Sequence, residues 1–328
     1  MLNLAVISLR ATVRALHIAA PGSSMSLHQA SGRWKLGLLL ALVTAACWAT
    51  LPVALKITLE QVDPYTLTWF RFVLATGVML AWLAARGGLG GFATLDRKRW
   101  WLLLAAALCL IGNYIFYLLG VQQTSPANAQ LLIQLAPLLM ALGGIFVFRE
   151  RFNGWQWAGL AVITGGLALF FRDQLDIGAP GYLAGSALVI FAAVVWATYA
   201  LLQKQLLMRL SSPAILLFIY AVASVALLPL ASPSSLLKLD GLHWGLLMYC
   251  ALNTLVAYGA FAEALAHWEA SRVSAILAIT PLLCLGTVAG VHAIWPASIA
   301  SEQVTTLGYV GAGLVVLGSA VTSLMGRR

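Results

Sequence analysis

From residue 36 onward the chain alternates long apolar runs with short polar joints. A helix that crosses about 30 Å of hydrocarbon needs about 20 apolar residues. Ten runs meet that requirement: Leu36–Leu55, Tyr65–Ala85, Trp100–Gly120, Pro126–Phe148, Trp155–Phe171, Gly181–Leu202, Pro213–Ala231, Leu242–Leu265, Val273–Trp295 and Thr306–Leu324. None shows the strict polar–apolar alternation of barrel strands, so helices are predicted. Pro137 and Pro281 fall inside spans, which is tolerated where neighbouring helices satisfy the freed carbonyls.

Composition agrees. Charged residues make up 9% of the chain and hydrophobic residues 62%, against about 25% charged in soluble proteins. So few charges cannot keep a soluble surface of this size wet, which excludes a soluble enzyme, a disordered regulator and a disulfide-stapled secreted domain. Cys47, Cys109, Cys250 and Cys284 all lie in apolar stretches without a CxxC pair, so neither a disulfide framework nor a zinc site follows. Residues 1–33 stand apart: Arg10 and Arg14 interrupt Leu2–Ala20, and the first acid is Glu60. This segment is expected to be a leader or to precede a true start at Met25, and is set aside from the fold.

The net charge of +9 acquires meaning from its distribution. With ten spans and a cytoplasmic N-terminus, one side holds Arg10, Arg14, Arg33, Lys35, Arg86, Arg97, Lys98, Arg99, Arg149, Arg151, Lys204, Arg209, Arg272, Arg327 and Arg328. The other side holds only Lys56, Arg172 and Lys238. The positive-inside rule then places both termini in the cytoplasm. The basic excess is a signature of orientation and of contact with the lipid bilayer, not of nucleic acid.

The two halves of the chain repeat. Trp48-Ala49-Thr50 matches Trp196-Ala197-Thr198, 148 residues on, and the same offset carries Lys56 onto Lys204. An offset of 144 pairs Trp100 with Trp244, Tyr114 with Tyr258 and Pro137 with Pro281. The fold class expected is therefore an all-α polytopic membrane protein with ten transmembrane helices as two five-helix repeats, 34–172 and 173–328. An odd number of helices turns the second copy upside down, and inverted repeats are a recurrent plan of secondary transporters.

Both halves resemble the EamA repeat of the drug/metabolite transporter superfamily. The resemblance rests on Trp48-Ala49-Thr50, Lys56, Pro64 with Arg71, Tyr114, Ser125-Pro126-Ala127-Asn128-Ala129, Pro137 and Arg149-Glu150-Arg151. In the second half it rests on Ala257-Tyr258, the stretch Glu269-Ala270-Ser271-Arg272-Val273-Ser274-Ala275, and Pro281. It implies an inner-membrane carrier that moves small metabolites, often amino acids or related polar compounds, usually outward, with protons or a counter-substrate as coupling partner. The first span lacks the mid-membrane glutamate expected of a small multidrug-resistance exchanger, which argues against drug-cation export.

A solute crossing the bilayer needs polar groups at the midplane, where they are costly to leave facing lipid. Gln130 and Gln134 share one face of the fourth span with Pro137. Ser274 is the repeat partner of Gln130 on the ninth. Asn113, Tyr114, Asn253 and Tyr258 lie deep in the third and eighth spans. Trp48 sits mid-helix, matched by Trp196, to stack on a substrate or to fill the bundle. Arg71 binds a substrate carboxylate or reaches for the outer surface. Lys56 and Lys204 are expected to anchor helix ends at the two interfaces. Glu263, the only acid inside a predicted span, is the candidate for proton coupling or a partner for Arg272. The others act as helix glue if they do not bind solute.

No HExxH, GxSxG or phosphate-cradling GxxxxGK[ST] occurs, and the histidines (His17, His28, His243, His267, His292) do not cluster with acids. Neither an enzyme nor a cofactor is expected. The reading is a secondary active transporter, exporting a small polar metabolite by alternating access. A channel-like facilitator is the alternative and an intramembrane enzyme a more remote one. Ten helices suffice for a complete carrier, and a homodimer stays open.

Overall fold

The computed structural model describes residues 30–87, 91–93, 95–124, 126–175, 182–296 and 305–325. Most of the expected leader, with the choice between Met1 and Met25, lies outside the described residues, as does Ser125. Twelve helices follow in order: α1 Trp34–Thr58, α2 Pro64–Ala85, α3 Arg97–Gln123, α4 Pro126–Leu132, α5 Leu135–Phe148, α6 Gly154–Leu175, α7 Tyr182–Leu206, α8 Ser212–Leu227, α9 Gly241–His267, α10 Ala270–Leu277, α11 Thr280–Ile294 and α12 Thr306–Leu324. With α4–α5 and α10–α11 each counted as one span, eight are long and apolar enough to cross a bilayer; shorter apolar stretches in α6 and α12 complete ten.

The repeat extends to the helix caps. Asp96 accepts from Arg99 N at 2.8 Å and so caps α3, while Asp240, 144 residues on, accepts from His243 N at 2.9 Å and caps α9. Asp63 caps α2 through Tyr65 N and Thr66 N, and Ser211, 148 residues on, caps α8 through Ala214 N. Each cap satisfies an amide that would otherwise be orphaned where the chain enters the bilayer.

The fourth and ninth spans are not continuous. Each breaks one turn before its proline, at Ile133–Gln134 and at Ala278–Ile279. A proline ring clashes with the carbonyl four residues back and offers it no N–H. The Ile133 carbonyl therefore accepts from Ala136 N at 2.8 Å, and the Leu277 carbonyl from the Thr280 hydroxyl at 2.6 Å. Discontinuous helices at matching positions of two repeats are a feature shared with membrane carriers.

A pseudo-twofold axis relates the copies. Repeat-equivalent helices pack on each other (α2 on α8, α6 on α12), α5 packs on α10 across the two equivalent broken spans, and α1 on α9 and α3 on α7 exchange under the repeat. Phe72 meets Tyr220 at 5.7 Å and the Thr76 hydroxyl meets that of Ser224 at 3.2 Å, both being pairs 148 residues apart. Along the α6–α12 seam, Gly159 lies against Gly318 and Gly166 against Gly311, so the two equivalent helices run antiparallel. The second copy is thus inverted, with the axis in the membrane plane. One face carries Arg33, Arg97, Arg149, Arg151 and Arg272 and is called the basic face below; the opposite face holds Glu60, Asp63 and Asp240.

Small residues let helices without a hydrophobic driving force approach to backbone contact. A Cβ on Gly166 would stand 2.6 Å from the Gly311 carbonyl oxygen, whereas one on Gly165 meets nothing within 4 Å. Gly166→Leu is expected to destabilise the purified protein by about 1–3 kcal/mol, the usual cost of overpacking, and Gly165→Leu to leave it close to wild type. Thermal unfolding in detergent compares the two.

Candidate functional site

A cavity of about 100 Å³ lies between the repeats at the level of the helix breaks. A water takes roughly 10–15 Å³ on this measure, so it holds several waters or a small solute. Its α1 wall (Trp48, Leu51, Pro52, Leu55) and its α3 wall (Asn113, Tyr114, Tyr117, Leu118) come from the halves of those helices farther from the basic face. The α4–α5 break contributes Gln130, Ile133, Gln134, Ala136 and Pro137.

Arg71 is the charged member. It is 2% exposed, donates from Nε to the Thr254 hydroxyl at 2.8 Å and from a terminal nitrogen to Tyr114 Oη at 3.4 Å, and stacks over the Tyr114 ring at 4.8 Å. Thr254 in turn donates to the Cys250 carbonyl, which fixes its lone pairs toward the guanidinium. Arg71 does not reach the outer surface. No carboxylate pairs with it, and none lines the cavity, among the described residues. On insertion scales, leaving an arginine in lipid costs about 2.5–3.5 kcal/mol; here two hydroxyls and an aromatic face replace part of its hydration.

Around it the aromatic side chains form a box. Trp48 packs edge-on to Trp196 at 5.4 Å and to Tyr258 at 5.5 Å, and Tyr114 lies 5.9 Å from Tyr258. The polar groups are uncharged. Gln130 Oε1 accepts from Tyr117 Oη at 2.9 Å, and Asn113 Nδ2 donates to the Ala192 carbonyl at 3.0 Å. Gln134 is 4% exposed, and its Oε1 has no partner among the described residues. A buried acceptor left open beside a cavity is a place for a ligand donor or a water.

Of the residues singled out in the sequence, Trp48, Arg71, Asn113, Tyr114, Gln130, Gln134 and Tyr258 line this cavity and the other three do not. Asn253 donates to the Cys47 carbonyl at 2.9 Å and ties α9 to α1. Ser274 donates to the Ser271 carbonyl at 2.7 Å within α10. Glu263, 42% exposed at its side chain, lies 3.7 Å from His267, one turn on. The expected Glu263–Arg272 pair does not form, because Glu269 is closer in sequence and takes Arg272 instead. Tyr117, Trp196 and Thr280 also line the cavity; Tyr117 was legible as the i+3 neighbour of Tyr114 on one helix face.

A second polar cluster closes the bundle toward the basic face. Lys204 is no interfacial anchor: it is 1% exposed and bonds Glu150 Oε1 at 2.8 Å. The same carboxylate accepts from Ala270 N at 3.0 Å and Ser271 N at 3.1 Å, capping α10. It thereby joins the α5–α6 connection of the first repeat to α7 and α10 of the second. Arg149, in the left-handed region at φ 54°, turns the chain to deliver it. Burial pushes the Glu150 carboxyl up, but the Lys204 charge and the hydrogen bonds from Lys204 and Ser271 together hold it below its ordinary value.

Comparison with known proteins agrees with this architecture. The profile of the EamA-like transporter family matches residues 35–172 and again 183–324. The chain is 40% identical, over 89% of its length and 92% of the relative's, to the "uncharacterized inner membrane transporter YhbE" of Escherichia coli strain K12. It is 25% identical, over 85% of its length and 92% of the relative's, to a "probable amino-acid metabolite efflux pump" of the same organism. One solved crystal structure, 21% identical, superposes with a TM-score of 0.67 across 89% of this chain and 99% of the other, a likeness of fold. The duplicated, inverted five-helix bundle together with these matches defines a transporter of multi-pass membrane type. The chain belongs to the EamA-like transporter family.

A carboxylate with a depressed pKa contributes stability above its unfolded pKa and loses it as pH falls through the folded value. Glu150→Gln is therefore expected to lower the Tm of the purified protein at pH 7, and the gap is expected to narrow as pH falls below the ordinary glutamate range and through the lowered folded value, where wild-type Glu150 is protonated too. Paired melts across pH measure this.

Proposed function

We propose that this protein is a secondary active transporter that exports a small polar, carboxylate-bearing metabolite, such as an amino acid or a related compound, across the inner membrane by alternating access. The observation that carries the reading is Arg71: a buried guanidinium facing a cavity with no carboxylate beside it among the described residues. A substrate carboxylate completes its hydrogen bonding and balances its charge. The open Gln134 Oε1 and the aromatic box then take the remaining polar and apolar parts of the solute. The names of the two relatives support inner-membrane location and outward movement of amino-acid metabolites.

In this reading the basic face is cytoplasmic, as positive-inside asymmetry favours, and the Glu150 cluster is the closed cytoplasmic gate. The cavity lies beyond it, toward the periplasm. Release of Glu150 from Lys204 and α10, coupled through the repeat to closure of the opposite end, exchanges the accessible side. Coupling, by protons through Glu263 or by a counter-substrate, is decided by whether a pH gradient alone drives uptake into vesicles.

Reconstituted protein is expected to show saturable counterflow of labelled amino acids or organic acids. Arg71→Ala removes a charge-assisted hydrogen bond, of about 1.5–3 kcal/mol, and is expected to raise the half-saturating concentration about 10- to 100-fold. Gln134→Ala is expected to cost a few-fold. Non-saturating flux without counterflow would identify a channel instead, and wild-type transport by both variants would move the site elsewhere. Impermeant labelling of intact cells is expected to reach a cysteine placed at Asp240 and not one placed at Arg151; the reverse pattern inverts the orientation.

A further inference from the structure

The cavity is lopsided. Its walls from α1 to α5 belong to the first repeat, and the second supplies only Trp196, Tyr258, Leu277 and Thr280. The pseudo-twofold that relates helices also relates positions. The offset of 148 carries Trp48, Leu51 and Leu55 of α1 onto Trp196, Tyr199 and Gln203 of α7, and the offset of 144 carries Tyr117 onto Phe261 and Gln130 onto Ser274. In this structure the mirrored set is packed shut: Tyr199, Gln203 and Phe261 are 0% exposed and Ser274 is 2% exposed.

Packed shut, the set is badly satisfied. Among the described residues the Tyr199 hydroxyl and both the nitrogen and the oxygen of the Gln203 amide have no hydrogen-bond partner. An amide with neither end paired at full burial is rare in a folded protein and calls for a physical reason. The orphans are not scattered. Trp196, Tyr199 and Gln203 fall at i, i+3 and i+7 and so share one face of α7. That stripe starts at the cavity and ends one residue before Lys204, where the Glu150 cluster seals the basic face.

We infer that this α7 stripe, with Phe261 and Ser274 opposite, is the wall of a second vestibule. It wets from the basic face when Glu150 releases Lys204, and admits the polar solute toward Trp48 and Trp196. The inference rests on the alternating-access reading and adds where the inner path runs and which groups line it. Gln203 and Tyr199 then bond water and solute in one state and lack partners in the other. Ser274, which binds nothing in the present cavity, enters the path as the mirror of Gln130.

The test is accessibility. In protein whose four native cysteines are replaced, Gln203→Cys is titrated with an impermeant methanethiosulfonate from the basic face, in inside-out vesicles. Reaction is expected, and Glu150→Gln is expected to accelerate it about tenfold or more by shifting the population toward the opened state. Leu55→Cys is expected to react from the opposite face and to slow in the Glu150→Gln background. Failure of Gln203→Cys to react in either background, while Leu55→Cys reacts, overturns the vestibule. Tyr199→Phe and Gln203→Leu give a second measure, since they delete the orphan atoms with little change of shape. Unchanged or raised thermal stability with several-fold slower counterflow supports a transit role, and counterflow equal to wild type refutes it. Wild-type counterflow without labelling sinks this inference alone, whereas labelling without any counterflow sinks the transporter reading and leaves the vestibule standing.

Discussion

Within hydrocarbon, a backbone carbonyl or a charged side chain can be satisfied only by the protein itself or by water the protein admits. The helix breaks at Ile133–Gln134 and Ala278–Ile279 are admissible only because each is enclosed by other helices and borders the cavity, the first through Ile133 and Gln134 and the second through Leu277 and Thr280. The same constraint places Arg71 where Thr254 and Tyr114 reach it. It also makes the open Gln134 oxygen informative, since an exposed loop would offer that atom any number of waters.

Scarcity of acids shapes the electrostatics. Of ten acidic residues in the chain, Glu150 alone is drawn into a buried ion pair among the described residues. It answers one ammonium and two backbone amides at once. Removing one partner of such a buried pair leaves the other uncompensated, which costs more than the pair itself is worth. The cluster therefore has two favourable conditions, fully engaged or fully hydrated, with little between them. The cavity has the opposite character: one cation, no anion among the described residues, and aromatic faces.

Much of this was legible before any coordinates. The spans follow from apolar length, and the inversion from an odd repeat anchored by tryptophan, tyrosine, proline and lysine rather than by leucine. Gln130 and Gln134 stood out because amides are expensive in lipid. What stayed hidden has a common cause. Pro137 and Pro281 announced a disturbance, but whether a helix kinks or breaks depends on which donor reaches the orphaned carbonyl, and that was Ala136 N in one case and the Thr280 hydroxyl in the other. Lys204 read as an anchor because its partner, Glu150, lies 54 residues away in the chain. Asn253 carries the same amide as Asn113 and each ties two helices through a backbone carbonyl, so only packing decides that Asn113 also faces the cavity and Asn253 does not.

The α6–α12 seam has a mechanical meaning of its own. Where Gly159, Gly166, Gly311 and Gly318 meet, backbone rests on backbone, and Ile163, Phe170, Val315 and Thr322 seat in the notches that the missing side chains leave. Knobs seated in holes must climb out before they can slide. A contact of this kind serves as a rivet, tight enough to keep the lipid tails out and toothed enough to hold the two copies in register.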